Sequence, residues 1–112
     1  MSIISERMYD IIGLSKKAGK LESGSFAVES SIKSGKAKLV IVSGDVSQNT
    51  EKKFRDMCEY RNIDMIKVGN NQELGECIGK PNRTVLVIND TAFKDMLLGV
   101  LPSSATNLGV IN

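Results

Sequence analysis

The sequence predicts an α/β fold, a three-layer α/β/α sandwich around a central mixed four-stranded sheet. Three observations carry that expectation. Leu39-Val40-Ile41-Val42 and Thr84-Val85-Leu86-Val87-Ile88 are unbroken runs of β-branched residues and leucine, as expected of strands covered on both faces. Segments with a helical apolar period lie between such runs along the chain, and this alternation favours helices packed on both sides of one sheet. The 112 residues suit one domain. That domain is expected over 1–101, with 102–112 as a flexible tail in which Ser, Thr, Asn and Gly outnumber the apolar residues.

The elements follow in order. A first helix is read from Ser2 to Ala18, where Ile3, Ile4, Met8, Ile11, Ile12 and Leu14 keep a helical period. Ser2 or Ser5 caps it, and Lys16-Lys17 suit its C-terminal end before Gly19. Lys20-Leu21-Glu22-Ser23 reads as a short edge strand. Ser25 to Ser34 forms the second helix, with Val28 and Ile32 on one face, and Gly35 ends it. Ala37 to Val42 is the second strand. Ser47 or Asn49 starts a third helix that runs to about Arg61, with Phe54, Met57, Cys58 and Tyr60 inward. Met65 to Val68 is a third strand, Gly69-Asn70-Asn71 a turn, and Gln72 to Ile78 a short helix closed by Gly79. After the exposed loop Lys80-Pro81-Asn82-Arg83 comes the strand Thr84–Ile88. Asn89-Asp90 cap a last helix from Thr91 to about Leu101, with Phe93, Met96, Leu97 and Val100 inward, stopped by Pro102.

Composition excludes several function classes. The chain has no histidine, and its two cysteines, Cys58 and Cys77, lack metal-ligand spacing. Both fall at apolar helix positions, so buried, reduced thiols and a cytoplasmic setting are expected. No apolar run is long enough for a membrane span, and no signal-peptide pattern is present. Neither G-x-G-x-x-G nor G-K-[ST] occurs. Asp45 and Asp90 each follow a strand, an arrangement that can hold Mg²⁺, although a helix cap is the commoner role of such residues. A non-catalytic protein without cofactor or metal, working as a monomer, is expected.

The net charge of +2 is small, but it is unevenly spread. From Lys16 to Lys38 there are six lysines against two glutamates, whereas from Leu39 onward acids outnumber bases by one. The basic surplus coincides with Gly24-Ser25, a helix start whose backbone N–H groups and hydroxyl suit a phosphate. The expectation is a phosphate seat at Gly24-Ser25 ringed by Lys20, Lys33, Lys36 and Lys38, with Lys80 or Arg83 approaching from the loop before the last strand. Ser43-Gly44-Asp45 ends the second strand where ligands of open α/β sheets usually sit. Phe26 is open to two readings: a core residue, or a surface on which a base stacks.

The run S-G-S-F-A-V-E-S-S-I-K-S-G-K-A-K-L-V-I-V-S-G-D-V, with C-E-Y-R-N-I-D-M-I-K-V and E-L-G-E-C-I-G, resembles the kink-turn RNA-binding superfamily of ribosomal-type proteins, the L-seven-Ae/L-thirty-e type. G-L-S-K-K-A-G-K and G-K-P-N-R are most similar to its bacterial YlxQ-like subgroup. The resemblance extends to about Leu101. It implies the same sandwich fold and, as partner, a kinked internal loop of structured RNA such as ribosomal RNA. It places Gly24 and Ser25 on the phosphate-facing turn, Asp45, Val46 and Ser47 on a second rim, and Lys80, Pro81, Asn82 and Arg83 on a third. Strong kink-turn binders carry an Asn-Glu pair and a nearby Lys where this chain has Phe26, Ala27 and Ser30. Phe and Ala cannot hydrogen-bond a guanine edge and Ser30 lacks the charge, so altered or weakened guanine readout is expected. The alternative is a protein–protein adaptor of the translation or RNA-processing machinery, anchored by an exposed Phe26.

Overall fold

The computed structural model describes residues 5–109. Its elements are α1 (Glu6–Lys17), β1 (Leu21–Ser23), α2 (Ser25–Lys33), β2 (Leu39–Val42), α3 (Gln48–Arg61), β3 (Asp64–Lys67), α4 (Asn71–Cys77), β4 (Val85–Ile88), α5 (Thr91–Leu98) and β5 (Thr106–Gly109). The five strands form one sheet in the order β1-β4-β2-β3-β5. β2 and β3 are parallel, and the other pairs are antiparallel.

Alternation along the central strands divides the apolar residues into two cores. Leu39, Ile41, Leu86 and Ile88 pack with Met8 and Ile12 of α1, Leu74 and Cys77 of α4 and Leu97 of α5. Val40, Val42, Val85 and Val87 face the other way, onto Val28 and Ile32 of α2 and Phe54 and Cys58 of α3. Every residue of β2 and β4 is buried, as their unbroken apolar runs predict. The three-layer arrangement is therefore the predicted one. No described helix is long and apolar enough to cross a membrane.

The strand count is not the predicted one. The segment after Pro102, expected to be flexible, supplies β5, which pairs with β3 from Lys67↔Thr106 to Met65↔Gly109. Backbone hydrogen bonds to an otherwise open edge hold it, helped by half-buried Leu108 against the α2/α3 core. A strand made chiefly by edge pairing needs little side-chain hydrophobicity, so its pattern T-N-L-G is nearly silent.

Three inward assignments also change. Leu14, Tyr60 and Met96 are exposed. Leu14 and Tyr60 each stand two residues beyond a buried residue, Ile12 and Cys58, and two residues turn a helix by about 200°. Met96 precedes the buried Leu97, and one residue turns a helix by about 100°. Ser5 caps α1, and the residues before it lie outside the described range. α5 ends at Leu98, with Gly99 as its C-cap, short of the expected Leu101.

The topology gives the sheet two distinct ends. The loops after β1, β2 and β3 and the loop before β4 share one end, here the loop end. Lys20, the α2–β2 connection, Asn62 and Asn89-Asp90 share the other, here the opposite end.

Candidate nucleic-acid interface

At the loop end the backbone is tied together. Gly24 N–H donates to Val85 O at 3.0 Å, Ser43 N–H to Thr84 O at 2.9 Å, Gly44 N–H to Gly69 O at 2.7 Å, and Arg83 N–H to Asn71 O at 2.9 Å. The Asp45 carboxylate accepts from the Asn71 amide nitrogen at 2.6 Å and from its backbone N–H at 3.1 Å. The Ser43 hydroxyl beside it and these Asn71 donors hold the Asp45 carboxyl below its usual range. Ser23, Gly24, Asn71, Asn82, Arg83 and Thr84 line a shallow cavity of about 350 Å³ between these loops.

α2 begins at this cavity, and its start differs from those of its neighbours. Ser5, Ser47, Asn70 and Asp90 each accept a backbone N–H at the head of α1, α3, α4 and α5. α2 has Gly24 at that position, with no side-chain cap and no acid in the first turn. The first-turn N–H groups of a helix have no partner within it, so those of Ser25, Phe26 and Ala27 are left for an external acceptor. Gly24 adopts φ 92°, ψ 152°, a conformation that side chains strongly disfavour. Glycine is what allows the chain to turn directly from β1 into α2.

The side chains beside this start are arranged as follows. Ser25 is exposed. Phe26 is 88% exposed, because Val28 and Ile32 take the sheet-facing side of α2 and Phe26 stands about 200° from Val28. That decides against the core reading of Phe26. Ala27 is half-buried, and Ser30 lies on the exposed stripe with Phe26. Arg83 reaches the corner: its Nε donates to Ser23 Oγ at 3.2 Å and one Nη to Asn82 O at 2.7 Å. A guanidinium has five N–H donors, so donors remain for an anion. Lys80 is exposed at the start of the same loop. Ser47 is engaged in capping α3, through Thr50 N–H at 3.2 Å and the Thr50 hydroxyl at 2.9 Å.

The predicted ring of lysines is not at this corner. Nine residues of α2, about 13 Å of helix, carry the chain from Ser25 to the other end of the sheet. Lys38 N–H donates to Ile88 O and Asn89 N–H to Lys20 O, which puts Lys20, Lys36 and Lys38 at the opposite end, far from Val85 and Gly24. Lys33, in the last turn of α2, pairs with Glu29 at 3.1 Å, and Lys53 reaches the same carboxylate at 2.9 Å. Lys53 and Lys33 together hold the Glu29 carboxyl below its ordinary value. The strand-end acids separate in the same way. Asp45 follows β2 and Asp90 follows the antiparallel β4, so they stand at opposite ends and cannot share an ion.

Asn71 and Thr84 also line the cavity, and sequence reasoning does not single them out. Asn71 reads there only as a turn residue. A polar side chain at the turn that faces a strand-end aspartate is the available signal.

Burial pushes both thiols up to about 12, with the Asp64 carboxylate adding to the effect at Cys58 and Glu73 at Cys77. Thiols so placed are poor nucleophiles.

Residues 6–97 match the model of the ribosomal protein L7Ae/L30e/S12e/Gadd45 family. The chain is 37% identical over 93 residues to the RNA-binding protein YlxQ of Bacillus subtilis (strain 168), covering 83% of this chain and 93% of that protein. A solved structure of a protein of unknown function from Bacillus halodurans C superposes with a TM-score of 0.81 at 34% identity, covering 85% of this chain and 96% of that one. The Giardia lamblia 15.5kD RNA binding protein shares the fold, with a TM-score of 0.71 at 17% identity over 85% of this chain and 82% of its own. Matched over most of its length by the family model and by a relative above one-third identity, the chain belongs to the ribosomal protein L7Ae/L30e/S12e/Gadd45 family.

Proposed function

We propose that this protein binds structured RNA at its loop end, without catalysis and as a cytoplasmic monomer, in association with the ribosome or translation. Phosphate oxygens accept from the free first-turn N–H groups of α2 and from Arg83, with Lys80 at the margin. An extruded base stacks on Phe26, beside Ala27 and Ser30, in place of the hydrogen bonds to guanine that the family resemblance implies for other members. The target class is a kink-turn-like internal loop, read by shape and stacking more than by base edges.

The observation that carries this reading is a pairing of two features at one corner. A large aromatic ring is exposed on the first turn of α2, the helix that starts without a side-chain cap. An exposed phenylalanine contributes little to the fold, and a helix start with glycine in place of a capping side chain forgoes roughly a few tenths of a kcal/mol of stability. Both features are useful to a bound nucleic acid.

The test is a titration of a kink-turn RNA and a scrambled duplex at two salt concentrations. Preference for the kink-turn RNA is expected. Phe26→Ala should weaken that binding by about tenfold or more, the loss of one base–aromatic stack, and Phe26→Tyr should restore it. Equal affinity for both RNAs, with no effect of Phe26→Ala, would overturn the proposal in favour of a protein partner anchored on Phe26.

A further inference from the structure

The lysines that the topology removes from the loop end gather around a second cavity. It has a volume of about 610 Å³ and opens where the C-terminal ends of α2 and α3 meet the first turns of α5, at the opposite end of the sheet. Lys33, Lys38, Arg61 and Lys94 line it, against one carboxylate, Asp64. With the Glu29 carboxylate that pairs Lys33 counted beside Asp64, four cations stand against two acids, a local excess in a chain of net charge +2.

Two of these cations are paired by the fold, Lys33 with Glu29 and Lys94 with Asp64, and two are not. Lys33 and Arg61 occupy the last turns of α2 and α3, where a positive charge offsets the helix dipole. Lys38 is in no helix, and neither it nor Arg61 has an ion pair among the described residues. Lys94 stands near the N-terminal end of α5, where the dipole disfavours a cation. Its partner is Asp64 at 3.5 Å, so the cavity's one carboxylate is already engaged. Beside the cavity, Tyr60 is 85% exposed, and the Arg61 guanidinium lies 5.5 Å from its ring centre. An aromatic face next to a cationic cleft is the pairing that takes up single-stranded nucleic acid, with phosphates in the cleft and a base on the ring.

We propose that this cleft is a second RNA-binding site, which holds a single-stranded segment through phosphate contacts to Lys38, Arg61 and Lys94 and a base stacked on Tyr60. The two sites lie at opposite ends of the sheet, in a molecule with extents of 34 × 29 × 27 Å. One protein therefore joins a structured RNA element to a flanking single strand, or to a second RNA.

Fluorescence anisotropy of the full chain with labelled single-stranded oligouridine tests the cleft separately from the loop end. Lys38→Glu with Arg61→Glu should weaken oligouridine binding at least tenfold. It should also flatten the logarithmic salt slope by about 1.4, the share of two neutralised phosphates on a single strand. Tyr60→Ala should weaken binding by about tenfold and leave the salt slope unchanged. All three side chains are exposed, so melting temperatures should match the wild type. The neutral pair Lys38→Ala with Arg61→Ala serves if charge reversal disturbs the fold. Phe26→Ala should leave oligouridine binding intact, which separates failure of this site from failure of the loop-end reading. Oligouridine binding that survives the cleft variants, or that disappears with Phe26→Ala, overturns the second site. Equal competition by polyglutamate of matched charge overturns its assignment to RNA.

Discussion

At the loop end, hydrogen bonds fix the shape. Asp45 holds Asn71, Arg83 holds Ser23, and three strand ends are bonded to neighbouring loops. Few cations stand there: Arg83 and Lys80, neither in an ion pair among the described residues, and Lys67, which is paired with Glu51 at 2.8 Å. At the opposite end the balance is reversed. Lys38 and Arg61 have no ion pair among the described residues, and Lys20 and Lys36 stand on exposed connections beside them. A rigid surface with few charges selects by fit, because its groups are already oriented before the ligand arrives. A cationic surface with few constraints attracts by field, and its binding falls with salt. The same strands therefore present one end suited to a defined RNA shape and one suited to any phosphate chain.

The largest expected disruption of this contrast comes from Gly75→Ala. A Cβ on Gly75 would lie 2.7 Å from Lys80 O, 2.9 Å from Asn82 N and 3.0 Å from Asn82 Cα. All three atoms are backbone, so the loop that carries Lys80 and Arg83 must move away from α4. Overpacking of this kind costs about 1–3 kcal/mol, and in a domain of this size each kilocalorie lowers the melting temperature by roughly 4–8 °C. Binding of the kink-turn RNA should fall as Arg83 shifts, while oligouridine binding at the opposite end should be retained. Loss of both together would mean that the two ends are not independent.

The two thiols sharpen the comparison on a smaller scale. Cys77 lies in α4 under the loop-end machinery, and Cys58 lies in α3 on the other side of the sheet. With pKa values pushed up to about 12, neither should react appreciably with a thiol reagent at pH 8 while folded. Gly75→Ala should speed labelling of Cys77 and leave Cys58 protected, read by mass spectrometry of labelled peptides. Equal acceleration at both would indicate global destabilisation and would remove the local account of Gly75.

The sequence makes the middle of the fold legible and its edges obscure, for a physical reason. Burial on both faces requires apolar residues at every position, so Leu39–Val42 and Val85–Ile88 are visible directly. Ser47 and Asp90 mark helix starts by the chemistry of capping. β5 is held chiefly by backbone pairing, which no side-chain pattern records. The site divides along the same line. Gly24, Ser25, Asp45 and Arg83 are legible as loop residues at strand and helix ends, and the structure does bring them to one end. Lys36 and Lys38 are misplaced by sequence reasoning because closeness to Ser25 along the chain is not closeness in space, and a nine-residue helix separates them. Phe26 stays open in the sequence because phenylalanine is usually a core residue, although Val28 and Ile32, four apart, already mark another face of α2.

The smallest effect concerns the Asp45 latch. Its carboxyl titrates below the ordinary value near 3.8, so the stabilising contribution is complete above that pH and is lost as pH falls through the lower, folded-state value. The group is exposed, so the change in global stability should stay within about 0.5 kcal/mol. The local change is the informative one. The Asn71 backbone amide, which donates to Asp45 at 3.1 Å, should shift in an NMR titration with a midpoint below 3.8, and amides near Arg61 and Lys38 should not follow that midpoint. Asp45→Asn should abolish the titration and weaken the kink-turn RNA by less than Phe26→Ala does, because Asn keeps an acceptor for Asn71. An Asn71 amide that shows no transition in this window would place the fixing of the loop end in its backbone bonds alone, with the carboxylate as a bystander.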